Sequence, residues 1–169
     1  MRGRERDRGP RVGLFGGTFD PIHNGHLKAA AAVARRFSLD QVRFIPSAIP
    51  PHKRTAEMAE AGHRMAMVEL AVGGRRRFLA SPVEVEAGST SYSVVTLEKI
   101  GREVPRALLF FLLGADAFVE IETWRDWRRV LEQCRFIVVT RPGTEWDRAR
   151  ETLGEPYRRT VAEVGPSVR

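Results

Sequence analysis

The chain has 169 residues and a mass of 19.0 kDa, with 43% hydrophobic and 29% charged residues and a formal net charge of +7. This length fits one domain of ordinary size, and the composition excludes a disordered or fibrous protein. The longest apolar run, Ala107–Ala115, falls far short of the roughly 20 residues of a membrane-spanning helix, and the N-terminus lacks the apolar segment of a signal peptide. A single cysteine, Cys134, excludes an intramolecular disulfide, so we expect a cytoplasmic protein.

The arginine-rich start of the chain has a denser positive charge than the rest. Residues 1–11 hold five arginines against Glu5 and Asp7, a net charge of +3. We expect this segment to form a basic, disordered tail and residues 12–169 to form a single domain. The remaining positive charge is dispersed, so it favours anionic ligands in general, nucleotides and nucleic acids included.

Apolar segments of strand length alternate with helical patterns along the chain. The predicted strands are residues 12–16, 42–45, 78–85, 107–113, 135–140 and 160–164. The predicted helices are residues 27–37, with Asn24 as a cap, and residues 57–72, 91–100, 115–121, 127–133 and 146–153. This alternation predicts an α/β fold, a doubly wound parallel sheet with helices on both faces. Ligands bind such sheets beyond the carboxyl ends of the strands, which selects the loops after Phe15, Pro46 and Leu113.

The densest motif, GGTFDPIHNGH, lies between the first predicted strand and the first predicted helix. Its glycine pair, Gly16 and Gly17, lets a ligand approach the backbone closely, and the following helix directs free N–H groups and a positive dipole end toward that ligand. Two imidazoles, His23 and His26, stand at the helix start. A structural zinc ion would need two further ligands, and the other two histidines lack zinc-ligand spacing. The pattern therefore favours a polyphosphate over a metal.

This motif resembles the signature of the nucleotidylyltransferase superfamily, and specifically that of the bacterial nicotinate-nucleotide adenylyltransferases. The resemblance implies the Rossmann-like fold of that superfamily and a role in NAD biosynthesis. It also implies ATP and nicotinate mononucleotide as substrates, with Mg²⁺ accompanying ATP. Competing nucleotide loops are absent, since the sequence has no G-x-x-x-x-G-K-[ST] and Gly13–Gly17 does not spell G-x-G-x-x-G.

Three further motifs are similar to those of the same family. PSAIPPHK, which ends at Lys53, is similar to its proline-rich loop. SYSVVTL is similar to its S-Y-T-x-x-T-L helix start, with Ser93 in place of threonine and Val95 in place of a common acidic residue. GAD, which ends at Asp116, and the later TWRDW are similar to its G-A-D and T-W-x-x-W.

The resemblance implies a role for each matching residue. The implied catalytic residues, which stabilise phosphate charge, are His23, His26 and Lys53. The implied ATP-binding residues are Gly16, Gly17, Thr18, Phe19, His23, His26 and Asp116. The implied binding residues for the second substrate are Asp20, His52, Lys53, Ser91, Tyr92, Ser93 and Trp124. Within that group, the start of the SYSVVTL helix receives the substrate carboxylate and Trp124 stacks on the pyridine ring, while no residue is expected to hold a resident metal. Asp116 alone also fits a helix cap, and Trp127 and Cys134 are predicted to pack in the core.

One element of the family pattern does not occur in this sequence. Members carry I-S-S-T-x-I-R shortly after a final strand, at the start of a helix that holds the ATP phosphates. Here residues 161–164 are followed by GPSVR. We therefore expect the domain to lack that element.

Two alternative functions stay open at this point. A phosphopantetheine adenylyltransferase fits the chain length better, although that family usually has threonine in place of His23 and lacks P-P-H-K and T-W-x-x-W. A catalytically impaired module that binds nucleotides or nucleic acid would fit the positive charge. We expect ATP and nicotinate mononucleotide as partners, expect neither a membrane nor a nucleic acid, and leave a homo-oligomer open.

Overall fold

The computed structural model describes residues 9–51, 57–140 and 161–164. Its strands are β1 (Arg11–Gly17), β2 (Gln41–Pro46), β3 (Phe78–Ala80), β4 (Leu108–Gly114), β5 (Arg135–Val139) and β6 (Val161–Val164). Its helices are α1 (Asn24–Arg36), α2 (Ala61–Val72), α3 (Ser93–Glu103), α4 (Ala115–Val119) and α5 (Trp127–Gln133), with a 3-10 helix at Ile121–Thr123. None of the helices in these ranges is long and apolar enough to cross a bilayer.

The six strands form one parallel sheet in the order β3-β2-β1-β4-β5-β6. This arrangement confirms the predicted doubly wound sheet. The chain winds outward from β1 to β3, returns, and winds outward again from β4 to β6, so the strand order reverses between β1 and β4. A crevice forms at such a reversal beyond the carboxyl ends of the strands.

Strand β4 is buried on both faces, as its unbroken apolar sequence predicts. Phe110 and Leu112 point to the layer that contains α1 and α2, and Phe111 and Leu113 point to the layer that contains α3, α4 and α5. Because side chains alternate along a strand, one continuous apolar run supplies both cores.

Strand β1 begins at Arg11, one residue inside the segment that we predicted to be a tail. The Arg11 backbone N–H donates to a carboxylate oxygen of Asp40 at 2.7 Å. Its guanidinium donates to the Phe37 carbonyl at 2.8 Å and lies 4.7 Å from the centre of the Phe110 ring. These contacts fix the residue at the sheet, while residues 1–8 of the predicted tail lie outside the described ranges.

Three predicted element boundaries need correction. Helix α1 is capped by His23 rather than by Asn24, and α2 begins at Ala61 rather than at residue 57. The strand predicted for residues 78–85 ends at Ala80, close to Pro82, which has no N–H for a sheet hydrogen bond. The helix predicted for residues 146–153 falls outside the described residues.

Candidate active site

Two cavities adjoin each other at the crevice beyond β1 and β4. We call them the histidine cavity, about 1000 Å³ and lined by His23 and His26, and the tryptophan cavity, about 620 Å³ and lined by Tyr92 and Trp124. Both cavities are lined by Gly16, Gly17, Thr18, Leu113 and Ala117. The end of β1 and Thr18 therefore lie where the two cavities meet to form one cleft, beyond the strand end that the sequence selected.

The imidazole rings of His23 and His26 stack with 3.8 Å between their centroids and 26° between their planes. Nδ1 of His23 accepts from the backbone N–H of Gly25 at 3.1 Å, and Nδ1 of His26 accepts from the backbone N–H of His23 at 3.2 Å. Since both Nδ1 atoms accept, each neutral ring carries its proton on Nε2. The start of α1 thus offers two imidazole N–H donors together with its positive dipole end.

Gly25 is required for this arrangement. A Cβ added there would lie 2.9 Å from two atoms of the His23 ring. The glycine of the H-x-G-H sequence therefore makes room for the capping imidazole.

Phe19 supports the histidine pair from the protein side. Its side chain is only 3% exposed, and its ring meets that of His26 nearly edge to face, 5.1 Å between centroids. Although Phe19 lines the histidine cavity, its side chain belongs to the core beneath α1. Any contact it makes with a bound nucleotide is therefore through the backbone and a small part of the ring.

A buried arginine, which the sequence analysis missed, holds the loops around the cleft. The Arg64 side chain, fully buried on α2, donates to the carbonyl oxygens of Thr18 at 2.8 Å, Ala48 at 3.1 Å and Ala59 at 2.8 Å. Burial lowers its pKa, and the nearby charge of Asp20 opposes that change. The one sequence signal was its position four residues before Val68, on the apolar face of the helix.

Asp20 takes part in the same loop structure. Its carboxylate, on an exposed residue, accepts from the Ala59 backbone N–H at 3.0 Å. This bond and those of Arg64 tie Ala59 to the loop after β1, which accounts for the late start of α2. Asp20 lines the histidine cavity rather than the tryptophan cavity, where Tyr92 and Trp124, predicted with it to bind the second substrate, lie.

The tryptophan cavity borders the start of α3, because Ser91, Tyr92 and Ser93 all line it. Ser91 also connects two loops. Its Oγ accepts from the Ala48 backbone N–H at 2.9 Å, and its own N–H donates to the Ile49 carbonyl at 3.0 Å. The hydroxyl of Ser91 is therefore already engaged within the protein.

Glu84 lies in this cavity, and the sequence analysis did not identify it. Its carboxylate accepts hydrogen bonds from the Thr96 and Ser91 hydroxyls. Burial raises the pKa of Glu84, and the hydrogen bonds from Thr96 and Ser91 and the charge of Lys99 partly oppose that rise. No local motif marks this residue, because its partners come from a later segment of the chain.

Aromatic residues also line the tryptophan cavity. Trp124 is half-buried, and its ring meets Phe111 edge to face at 5.9 Å. Trp127 packs against the core, as predicted. Val95, which stands where the family often has an acid, is exposed on α3 and does not line the tryptophan cavity.

One of the predicted site residues lies outside the cleft, and two others are not among the described residues. Asp116 is exposed in the first turn of α4, whose cap is Gly114, and it lines neither cavity. His52 and Lys53 lie outside the described residues. Within residues 9–51, 57–140 and 161–164, no group of three or more His, Cys, Asp or Glu side chains could hold a metal ion.

Comparison with known proteins identifies the relatives of this chain. The family model described as cytidylyltransferase-like matches residues 14–163. A protein of Desulfatibacillum aliphaticivorans, named a probable nicotinate-nucleotide adenylyltransferase, is 48% identical over 149 residues, covering 88% of this chain and 68% of its own. A protein of Solibacter usitatus with the same name is 49% identical over 138 residues, covering 81% of this chain and 73% of its own.

A solved structure has a similar fold. The Plasmodium falciparum nicotinic acid mononucleotide adenylyltransferase complexed with NaAD has a TM-score of 0.73 and 16% identity, covering 94% of this chain and 76% of its own. At that identity, the likeness shows a shared fold. The chain spans 64% to 74% of the length of the curated relatives it matches.

Proposed function

The chain belongs to the cytidylyltransferase-like family, and from that premise we propose that it transfers the adenylyl group of ATP to nicotinate mononucleotide. The products are nicotinate adenine dinucleotide and pyrophosphate, a step of NAD biosynthesis. Its relatives at 48% and 49% identity carry the name of this activity. The observation that carries the proposal is the divided cleft, with two imidazole N–H donors on one side and an aromatic wall on the other.

The two cavities suit the two substrates of this reaction. We assign the ATP phosphates to the histidine cavity, where the donors of His23 and His26 and the start of α1 favour negative charge. We assign the pyridine ring to the tryptophan cavity, where Trp124 offers a flat apolar surface. The attacking phosphate and the α-phosphate then meet beside the shared segment Gly16–Thr18, where the two cavities join.

The chemistry needs no general base. An oxygen of the mononucleotide phosphate attacks the α-phosphorus of ATP, the bond to the bridging oxygen breaks, and pyrophosphate leaves with that electron pair. A phosphate monoester has a second pKa of about 6, so the attacking group is already largely ionised at neutral pH. Catalysis therefore consists of alignment and of stabilising the charge that moves toward pyrophosphate, the role that we assign to His23 and His26.

Mg²⁺ enters this proposal as part of the substrate. Magnesium commonly binds through phosphate oxygens, water and few protein ligands, which suits a cleft whose described residues form no metal-binding cluster. Lys53 and His52 stay assigned to phosphate contacts by the resemblance alone. The cytoplasm stays the proposed compartment on the single-cysteine composition.

The test is pyrophosphate release from MgATP with three acceptors offered separately: nicotinate mononucleotide, nicotinamide mononucleotide and phosphopantetheine. We expect release with a pyridine mononucleotide and none with phosphopantetheine. Release with phosphopantetheine alone would assign the other adenylyltransferase activity. Salt-dependent binding of nucleic acid, with no turnover of any acceptor, would indicate a binding module instead.

A further inference from the structure

Three charged side chains line the tryptophan cavity within the described residues: the acids Glu84 and Glu120 and the cation Arg125. The two acids disfavour a substrate whose ring carries a carboxylate, whereas Arg125 and the positive dipole end of α3 favour it. Among the described side chains that line the cavity, Arg125 is therefore the one whose positive charge can distinguish a pyridine carboxylate from a pyridine carboxamide.

Arg125 is held at the cavity by an aromatic contact. Its guanidinium carbon lies 4.9 Å from the centre of the Tyr92 ring, and it directly follows Trp124, whose ring we assign to stacking. The left-handed backbone of Asp126, with φ of 51°, turns the chain away into α5. This cation–π contact places the positive charge between the pyridine platform and the start of α3.

Little in the protein competes for this guanidinium. Within the described residues its ion-pair partner is Asp126, with 3.9 Å between Nε and Oδ2, and the Arg125 side chain is 59% exposed. A guanidinium can donate two parallel bonds to a carboxylate, whereas an amide offers one neutral oxygen and two competing donors. Donors of Arg125 are thus left for a ligand that enters the cavity.

We propose that Arg125 is a specificity-determining residue that favours nicotinate mononucleotide over nicotinamide mononucleotide. This inference rests on the proposed function and adds the reason for the acid preference. A pyridine ring stacked on Trp124 brings its 3-substituent into the cavity that the neighbouring guanidinium borders. The guanidinium then offsets the acids Glu84 and Glu120 for the carboxylate substrate and gives no comparable gain to the amide.

The test compares Arg125→Gln and Arg125→Lys with the wild type by kcat/KM for each mononucleotide at saturating MgATP. We expect Arg125→Gln to lower kcat/KM for the acid about tenfold, since a charge-assisted bond is worth roughly twice a neutral one, and to leave the amide within twofold. Arg125→Lys should keep most of the acid preference. An unchanged acid-to-amide ratio, or equal losses for both substrates, would overturn the proposal.

Arg128→Gln is the matched control. Arg128 makes the same kind of contact, 4.4 Å from the centre of the Trp127 ring, but it lines neither cavity. Its substitution should leave the acid-to-amide ratio unchanged. Added salt should also reduce the acid preference of the wild type and have little effect in Arg125→Gln, because salt screens an exposed charge. A salt response identical in both proteins would contradict the assignment.

Failure of the inference and failure of the proposed function are distinguishable. If the wild type turns over neither mononucleotide, the proposed function is wrong, and the Kd of each mononucleotide is measured by tryptophan fluorescence without ATP. An acid-to-amide Kd ratio that Arg125→Gln does not change would then reject the role of Arg125. If the wild type turns over both mononucleotides and Arg125→Gln leaves the acid-to-amide ratio of kcat/KM unchanged, the inference is wrong and the proposed function stands.

Discussion

The guanidinium of Arg64 donates to the backbone carbonyl of Thr18 across 2.8 Å, so helix α2 fixes from behind the loop that both cavities share. The same side chain reaches Ala48, in the loop after β2, and Ala59, in the segment before α2. One buried charge therefore ties three loops to one another. The bond from the Ser47 N–H to the Gly17 carbonyl at 2.9 Å and that from the Ala59 N–H to Asp20 at 3.0 Å add to this connection.

Replacing Arg64 with methionine should destabilise the protein and lower turnover together. Three carbonyl oxygens would lose a charged donor, and a loss of about 3 kcal/mol in the free energy of unfolding is expected from hydrogen bonds of this type. Urea denaturation and the pyrophosphate assay measure the two effects. Arg64→Lys, which keeps the charge but cannot reach all three oxygens, should lie between the wild type and Arg64→Met. A loss below about 1 kcal/mol in the free energy of unfolding of Arg64→Met would contradict the role of Arg64 in holding the three loops.

The capping of α1 by His23 and its proposed role in catalysis should separate in its variants. His23→Ala removes the cap of α1 and should cost about 1 kcal/mol of stability, whereas His23→Asn keeps a side-chain acceptor for the helix N–H groups. Both variants remove the imidazole donor and should lower kcat about a hundredfold, the usual effect of losing one preorganised donor. Thermal unfolding measures the stability of His23→Ala and His23→Asn, and the pyrophosphate assay measures their turnover. Normal turnover in His23→Asn would show that the ring only caps the helix.

His26→Ala is the complementary variant. It removes a donor and the bond from the His23 N–H to the His26 ring, but it keeps the bond from the Gly25 N–H to the His23 ring, so turnover should fall far more than stability. A melting temperature close to that of the wild type together with unchanged turnover would refute a role for this ring in phosphate stabilisation.

Stability should fall with rising pH through the ionisation of Glu84. Burial raises the pKa of this carboxyl above its ordinary value of 4.5. The folded state therefore binds the proton more tightly than the unfolded state. The stabilising contribution is present below the unfolded pKa and is lost as the pH rises through the folded pKa.

Glu84→Gln, which is neutral at every pH, should not show that loss. The difference in unfolding free energy between the variant and the wild type should thus shift in favour of the variant from pH 4.5 upward. Urea denaturation at several pH values tests this expectation. A difference that does not change with pH would mean that Glu84 titrates as an exposed carboxyl does.

The thiol of the single cysteine should be unreactive in the folded protein. Cys134 is 6% exposed, and burial raises the pKa of its thiol to about 12. Because the thiolate is the reactive form, a disulfide reagent at pH 8 should modify native protein at least about a hundredfold more slowly than protein unfolded in urea. The absorbance of the released thiol measures both rates, with Cys134→Ala as the blank. Rapid modification under native conditions would place the thiol at the surface.

The sequence predicted the sheet and the position of the cleft because those depend on local patterns. Strand-length apolar runs gave the doubly wound fold, and the GGTFDPIHNGH segment placed His23 and His26 at the start of α1. The cap of that helix was predicted incorrectly as Asn24. An asparagine is the commoner cap, and ring stacking between two histidines depends on side-chain geometry that no pattern encodes.

The residues that the sequence analysis missed act over long separations. Arg64 bonds to Thr18, and Arg125 contacts Tyr92, across segments that become neighbours only in the folded chain. Arg64 belongs to no motif with a known spacing, and Arg125 occupies an unspecified position of T-W-x-x-W. A sequence pattern depends on residues that are close along the chain. These contacts instead depend on which loops the folded sheet brings together.

The central position of β1 also constrains how the protein emerges from the ribosome. Its partner β2 follows about 30 residues later, whereas register pairs Leu14 with Phe111, about 100 residues downstream. The edge of β1 that pairs with β4 therefore lacks hydrogen-bond partners while most of the chain is still being synthesised. Such an open apolar edge is a place where a nascent chain can aggregate or recruit a chaperone. Because Leu113 and Ala117 complete both cavities, nucleotide binding cannot assist folding until β4 and α4 have been translated.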